Sequence, residues 1–189
     1  MRLLLATRNA HKLREFERLL PTVMLDPLPD DVDTPPEDGD TYAANALIKA
    51  RAAARVTGRA AIADDSGIES AALGGAPGVR SARFAGEDAT DQENLDKLLA
   101  EAPAGSALRY VCALAYVDPD GTEHLVEGHS TGTLAAQPRG SGGFGYDPAF
   151  VPDDLDGDRT MAELSPDEKD AISHRGRAVR ELLAWLQRR

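Results

Sequence analysis

Two aspartates, Asp64 and Asp65, stand side by side in the stretch AIADDSGIES (Ala61–Ser70), where a short apolar run meets a Ser-Gly pair. Carboxylates at the end of a buried strand sit where α/β sheets place their ligands. Two of them about 4 Å apart without a counter-charge repel by about 4 kcal/mol at an effective dielectric near ~20. A divalent cation relieves that repulsion. Mg2+ suits oxygen donors and commonly takes one or two carboxylates together with substrate phosphates. Zinc has no support, because His11, His124, His129 and His174 are scattered and none is paired in sequence with Cys112. Side chains alternate along a strand, so the two aspartates face different ways unless the strand curls. They therefore have different tasks: one meets the ligand, and the other braces the turn or reaches a metal from the side. Taken alone, Asp-Asp after a strand is an ordinary cap or turn, and Ser66-Gly67 is a turn signal. Glu37 lies in a Pro/Asp-rich stretch and is a third available carboxylate, or one acid among several in a solvated loop.

Three further stretches carry chemistry. ATRNAHK (Ala6–Lys12) takes a strand into a helix, with Thr7, Arg8, Asn9, Ala10, His11 and Lys12 around the turn. Backbone N–H groups at such a turn bind anions, and Lys12 adds a full charge; the alternative is an N-cap followed by a solvated lysine, with His11 on the surface. RGSGGFGYD (Arg139–Asp147) contains the spacing G-x-G-x-x-G but runs into YDPAF rather than a helix, so the dinucleotide fingerprint lacks its context. It reads as a loop presenting Phe144 and Tyr146 to a flat ligand, since aromatic faces stack on bases, or equally as turns around a core Phe144. SPDEKDAISHRGRA gathers Lys169, His174 and Arg175 around a helix start. They could bind phosphate or the oxygen-rich edge of a base, or be solvated helix charges. No G-x-S-x-G and no P-loop Gly-Lys-Ser/Thr occurs.

Alternating strands and helices must position these residues. Arg2–Ala6 is a buried strand, and Thr7 caps a helix over Asn9–Leu20. Residues 26–40 are loop. Asp40 or Thr41 starts the next helix, over 41–57 and closed by Gly58, with Ala43, Ala46, Leu47, Ala50 and Ala54 toward the core and Asn45 and Lys49 on another face. Ala60–Ala63 is a second buried strand, and 73–86 a Gly-rich loop. Thr90 and Glu93 form a capping box for a helix over 91–101. Leu108–Val117 and Thr122–Thr133 form a hairpin around DPDG, and 137–147 is another Gly-rich loop. Ser165, Pro166 and Glu168 start a helix, and the last one runs from Ser173 or His174 to Leu186. The pattern is α/β with a mixed sheet in a single domain spanning residues 1–189.

Composition bounds the rest. The 189 residues carry 32 acidic against 21 basic side chains, a net charge of −11. That surface argues against non-specific binding to nucleic acid or anionic membranes. It leaves room for a small anion held by a local basic pocket or a divalent cation. No apolar run approaches a membrane span, the N-terminus is too soon polar for a signal peptide, and a single cysteine fits a reducing cytoplasm.

Taken together, ATRNAHK, NALIKA, ADDSGIE, GGAPGVRSARFAG, GFGYDP and MAELSPDEKDAISHRGRA resemble the inosine/xanthosine triphosphate pyrophosphatase family, in order and over residues 6 to about 178. The resemblance implies an elongated mixed β-sheet flanked by helices, two lobes with a central substrate cleft, and a homodimer. It implies Mg2+-dependent hydrolysis of dITP, ITP and XTP to the monophosphate and pyrophosphate. It makes Asp65 the proton acceptor and a metal ligand, with Asp64 and Glu37 as further metal-site acids, and Lys49 the second catalytic residue, beside the phosphates. Thr7 to Lys12 becomes the triphosphate-binding turn and Ser66 a substrate contact. Phe144, Gly145, Tyr146 and Asp147, with Lys169, His174 and Arg175, become the nucleotide and base pocket. One departure is Ala44, where the family commonly has Glu. It leaves open a nucleotide-binding sensor that does not hydrolyse its ligand. A related pyrophosphatase for modified pyrimidine nucleotides is the rival among enzymes.

Overall fold

The computed structural model describes Met1–Arg189. Six strands form one sheet in the order β2-β1-β3-β4-β5-β6: β1 Arg2–Leu5, β2 Met24–Pro27, β3 Ala61–Ser70, β4 Ala107–Val117, β5 Glu123–Leu134 and β6 Phe150–Pro152. Five α-helices accompany them: α1 Ala10–Leu19, α2 Tyr42–Thr57, α3 Asp91–Glu101, α4 Pro166–Ile172 and α5 His174–Leu186. β1 pairs in parallel with β2 and β3, and β5 pairs antiparallel with β6, so the sheet is mixed. This is the α/β class that the alternation of elements predicts.

The chain divides into two compact units. The first comprises Met1–Asp65, Cys112–Gly128 and Arg177–Arg189. Its core gathers Leu3 and Leu5 of β1, Phe16 of α1, Ile62 of β3, Cys112 and Leu114 of β4, and Val179 and Leu182 of α5. The second comprises Ser66–Val111 and His129–Gly176. Ile68, Leu95, Leu98, Tyr110, Leu134, Phe150 and Met161 lie in its core.

Most helix starts follow from side-chain capping. The Thr41 side chain accepts from Ala44 N at 3.1 Å, and Gly58 closes α2 at φ 64°, where a side chain would be strained. Thr90 with Glu93 and Ser165 with Glu168 both form complete capping boxes. At α1 the cap is Asn9 rather than Thr7. Asn9 Oδ1 accepts from the N–H of His11 and of Lys12 at 2.9 and 3.1 Å, while Thr7 Oγ1 accepts from Asn9 N one step earlier.

Other expectations need correcting. The second strand does not stop at Ala63 before a turn. It runs through Asp64, Asp65, Ser66 and Gly67 to Ser70, because the charges that argue against a buried strand find partners there. Residues 26–40 are not all loop, since β2 extends to Pro27. The stretch 73–86 contains a 3-10 turn over Gly78–Arg83. Asn45 and Lys49 are not on a face apart from the core. The buried stripe of α2 is Tyr42, Asn45, Ala46, Lys49, Ala50, Ala53 and Ala54.

Candidate functional site

Within the first unit, β3 delivers Asp64 and Asp65, both buried. Their partners differ, as strand alternation requires. Asp64 Oδ2 lies 3.0 Å from Lys12 Nζ, and Cys112 Sγ approaches the same oxygen at 3.9 Å. Asp65 Oδ2 accepts from Asn45 Nδ2 at 3.0 Å, and its Oδ1 lies 3.9 Å from Lys49 Nζ. Lys49 Nζ also donates to Glu37 Oε1 at 2.6 Å. Asn45 Oδ1 accepts from Gly39 N at 2.9 Å, which ties the loop carrying Glu37 back to α2.

Electrostatics separates the roles of these groups. Burial works against the charge on Lys49, yet Asp64, Glu37 and Asp65 together hold its pKa above that of an ordinary lysine. Asp65 is pushed up instead. Its burial, with help from Glu37, outweighs Lys49, Lys12 and the Asn45 hydrogen bond. A carboxylate with a raised pKa in a polar cluster is suited to accept a proton. Among the acids of this cluster, Asp64 pairs with Lys12, and Glu37 and Asp65 both approach Lys49. No group of three or more acidic, His or Cys side chains is placed to hold a metal ion by itself. The acidic side chains of the cluster supply oxygen donors.

The rest of the first turn divides. Lys12 joins the carboxylates, whereas Arg8 turns away from them. Its guanidinium donates to the carbonyls of Leu28, Pro29 and Val32 at 2.6–2.8 Å, strapping the following loop. His11 is exposed, with Nδ1 2.8 Å from Arg14. The amides of His11 and Lys12 are taken by Asn9.

The second unit holds a different cluster. Asp147 and Lys169 form a buried ion pair, Nζ to Oδ2 at 2.6 Å. The same oxygen accepts from Phe144 N at 2.8 Å, and Oδ1 accepts from the hydroxyl of Tyr110 at 3.2 Å. Lys169 Nζ stands 5.1 Å from the Phe144 ring centroid, and the Arg175 guanidinium stands 5.8 Å from it. Arg175 is 1% exposed and donates to Ser66 Oγ at 2.9 Å. His174 stacks on Tyr110. Gly145 N donates to Asp91 Oδ2 at 3.0 Å, and Tyr146 donates to Ser81 O at 2.7 Å. Burial pushes the Tyr146 hydroxyl well above its usual range, so it is a neutral donor there.

Thus Lys12, Glu37, Lys49, Asp64 and Asp65 meet in one unit. Ser66, Phe144, Asp147, Lys169, His174 and Arg175 meet in the other. Asn45, Tyr110 and Asp91 were not singled out by the sequence as site residues. For Asn45 a signal exists: it is one helical turn from Lys49, on a face otherwise made of Tyr42 and alanines. Tyr110 and Asp91 carry no local signal, because their partners come from distant segments.

A mixed-sheet α/β protein with a buried carboxylate–lysine cluster and a separate aromatic–cation cluster is the class this geometry defines. The chain belongs to the Ham1 family, whose sequence profile matches residues 3–185. It is 49% identical to the dITP/XTP pyrophosphatase of Streptomyces avermitilis, covering 96% of this chain and 95% of that one. Among solved structures, it resembles a HAM1 protein from Coxiella burnetii with a TM-score of 0.89 and 40% identity, covering 100% of both chains. It also resembles the nucleoside-triphosphatase, or dITP/XTP pyrophosphatase, of Mycobacterium abscessus. That match has a TM-score of 0.76 and 47% identity, covering 97% of this chain and 99% of the other.

Proposed function

We propose that the protein hydrolyses non-standard purine nucleoside triphosphates, dITP, ITP and XTP, to the monophosphate and pyrophosphate. The observation that carries this reading is the near-half identity, along almost the whole chain, to proteins named dITP/XTP pyrophosphatase. The site supplies the chemistry. Water attacks the α-phosphorus; its oxygen forms the new O–P bond as the bridging bond to the β-phosphate breaks and pyrophosphate leaves. Asp65 takes the water's proton, which its raised pKa favours. Lys49 and Lys12 neutralise charge on the phosphate oxygens.

Mg2+ fits this reading, because the acids of the cluster offer oxygen donors and Mg2+ commonly takes one or two carboxylates together with substrate phosphates. Asp65, with Glu37 and Asp64, would hold it. When bound, it would stabilise charge on the leaving pyrophosphate. In this reading the enzyme is a cytoplasmic homodimer.

For the base, Lys169, His174 and Arg175 supply donors suited to a 6-oxo group. A 6-amino group there presents donors where an acceptor is needed and loses that hydrogen bond, at about 1–3 kcal/mol per buried group. Discrimination of adenine nucleotides follows from that penalty.

The test is product analysis with Mg2+ across dITP, XTP, dUTP and dATP. Monophosphate and pyrophosphate from dITP and XTP, with dUTP and dATP much slower, is the expected result. Orthophosphate as the product refutes the mechanism. Tight binding without pyrophosphate release would identify a sensor, the reading that Ala44 alone favours. Preference for dUTP would identify a pyrimidine enzyme.

A further inference from the structure

Tyr110 lies in none of the stretches that carry the family resemblance, yet it touches both ends of the aromatic–cation cluster. It sits on β4, an interior strand of the sheet, and is buried. Its ring stacks on the imidazole of His174 with centroids 4.5 Å apart and planes 4° from parallel. Phe150 packs against it at 4.7 Å, tilted by 46°. Its hydroxyl donates to Asp147 Oδ1 at 3.2 Å, while Lys169 and Phe144 N both use Oδ2.

The physical consequence is a division of freedom. His174 opens α5, so its backbone is set by the helix. The remaining soft coordinate is rotation of the imidazole about χ2, whose well is broad. A near-parallel ring anchored on an interior strand narrows it. The Asp147 carboxylate has the same softness, and a donor on Oδ1 fixes the direction of Oδ2. That direction in turn sets Lys169 and the Phe144 turn. We infer that Tyr110 is a positioning residue for purine recognition: it sets the plane of His174 through its ring and the orientation of Asp147 through its hydroxyl. This inference rests on the proposed reading that His174, Lys169 and Phe144 meet the base.

Two variants separate the two contacts. Tyr110→Phe keeps the ring and removes the hydroxyl. It raises KM for dITP several-fold while kcat stays within about twofold, since no group near the reacting phosphorus changes. Tyr110→Leu removes both contacts, and the dITP-over-dATP preference in kcat/KM falls about tenfold or more, the scale of one misaligned buried donor. Leu98→Ala in the same core is the control: it lowers thermal stability and leaves that preference unchanged. The second readout is the NMR signal of the His174 ring protons. They are shifted by the Tyr110 ring current in the wild type and in Tyr110→Phe, and lose that shift in Tyr110→Leu. If the wild type releases no pyrophosphate from dITP, the functional reading falls, and the NMR comparison alone decides the positioning role. An unchanged dITP/dATP preference in folded Tyr110→Leu, an equal loss in Leu98→Ala, or an unshifted His174 signal in the wild type overturns the inference.

Discussion

Asp65→Asn is the sharpest perturbation of the first unit, because it keeps shape and removes one charge. The carboxamide oxygen can still accept from Asn45, so the local hydrogen bond survives. What is lost is the proton acceptor and the attraction to Lys49 at 3.9 Å. That attraction is about 4 kcal/mol at an effective dielectric near ~20, yet the Asp65 pKa is still raised, so burial with the Glu37 charge outweighs it. Lys49 keeps Glu37 at 2.6 Å in the variant and is not left alone. The folded state therefore binds the Asp65 proton more tightly than the unfolded chain does. Wild-type stability from this group is greatest below the ordinary carboxylate range. It is lost as pH rises through that range to the raised pKa. Asn does not titrate, so the variant is no less stable than the wild type at pH 8, and any advantage vanishes at low pH. Turnover moves the other way: loss of a general base lowers kcat about 10²–10⁴-fold. Pyrophosphate release at saturating dITP and thermal melts at pH 4 and pH 8 measure both. Near-wild-type turnover refutes Asp65 as the base. A melting temperature lower by several degrees at pH 8 would mean that Asp65 acts chiefly as counter-ion to Lys49, since about 1 kcal/mol moves the midpoint of a chain this size by about 2–4 °C.

Lys49→Met strands Asp65 and Asp64 with less compensation, so it destabilises by about 3–5 kcal/mol as well as abolishing activity; chemical denaturation checks this, and adding Asp65→Asn recovers part of the loss. Gly39→Ala places a Cβ 2.7 Å from Asn45 Oδ1 and 2.8 Å from the Ala44 Cβ. It displaces the Glu37 loop and weakens turnover while global stability changes little, as kinetics and melts on one preparation will show. Arg8→Ala removes three hydrogen bonds to the carbonyls of Leu28, Pro29 and Val32, and limited proteolysis should cut within 28–38 faster than in the wild type.

What could be read from the chain depended on whether the signal was local. Thr41, Thr90 with Glu93, and Ser165 with Glu168 cap helices through bonds spanning three residues, and each helix starts where those residues put it. The extension of β3 through Asp-Asp-Ser-Gly was not legible. Its cause is the pairing of Asp64 with Lys12 and of Asp65 with Asn45 and Lys49, contacts from two other helices. β2 and β6 are too short to show a period, and pairing along the sheet defines them. Residue type and family resemblance point to the lysines and carboxylates of the first cluster. That Arg8 would serve the loop rather than the carboxylates depends on where the carbonyls of 28–32 lie, which no spacing encodes.

The interleaving of the two units has a consequence for synthesis on the ribosome. The second unit, Ser66–Val111 with His129–Gly176, has its last residue made at Gly176, while the first waits for Arg177–Arg189. The unit that begins the chain is therefore the one finished last. Until α5 emerges beyond residue 176, Leu3, Leu5 and Phe16 lack Val179 and Leu182 as packing partners. Neither unit is a contiguous piece of chain, so no simple truncation can deliver one without the other.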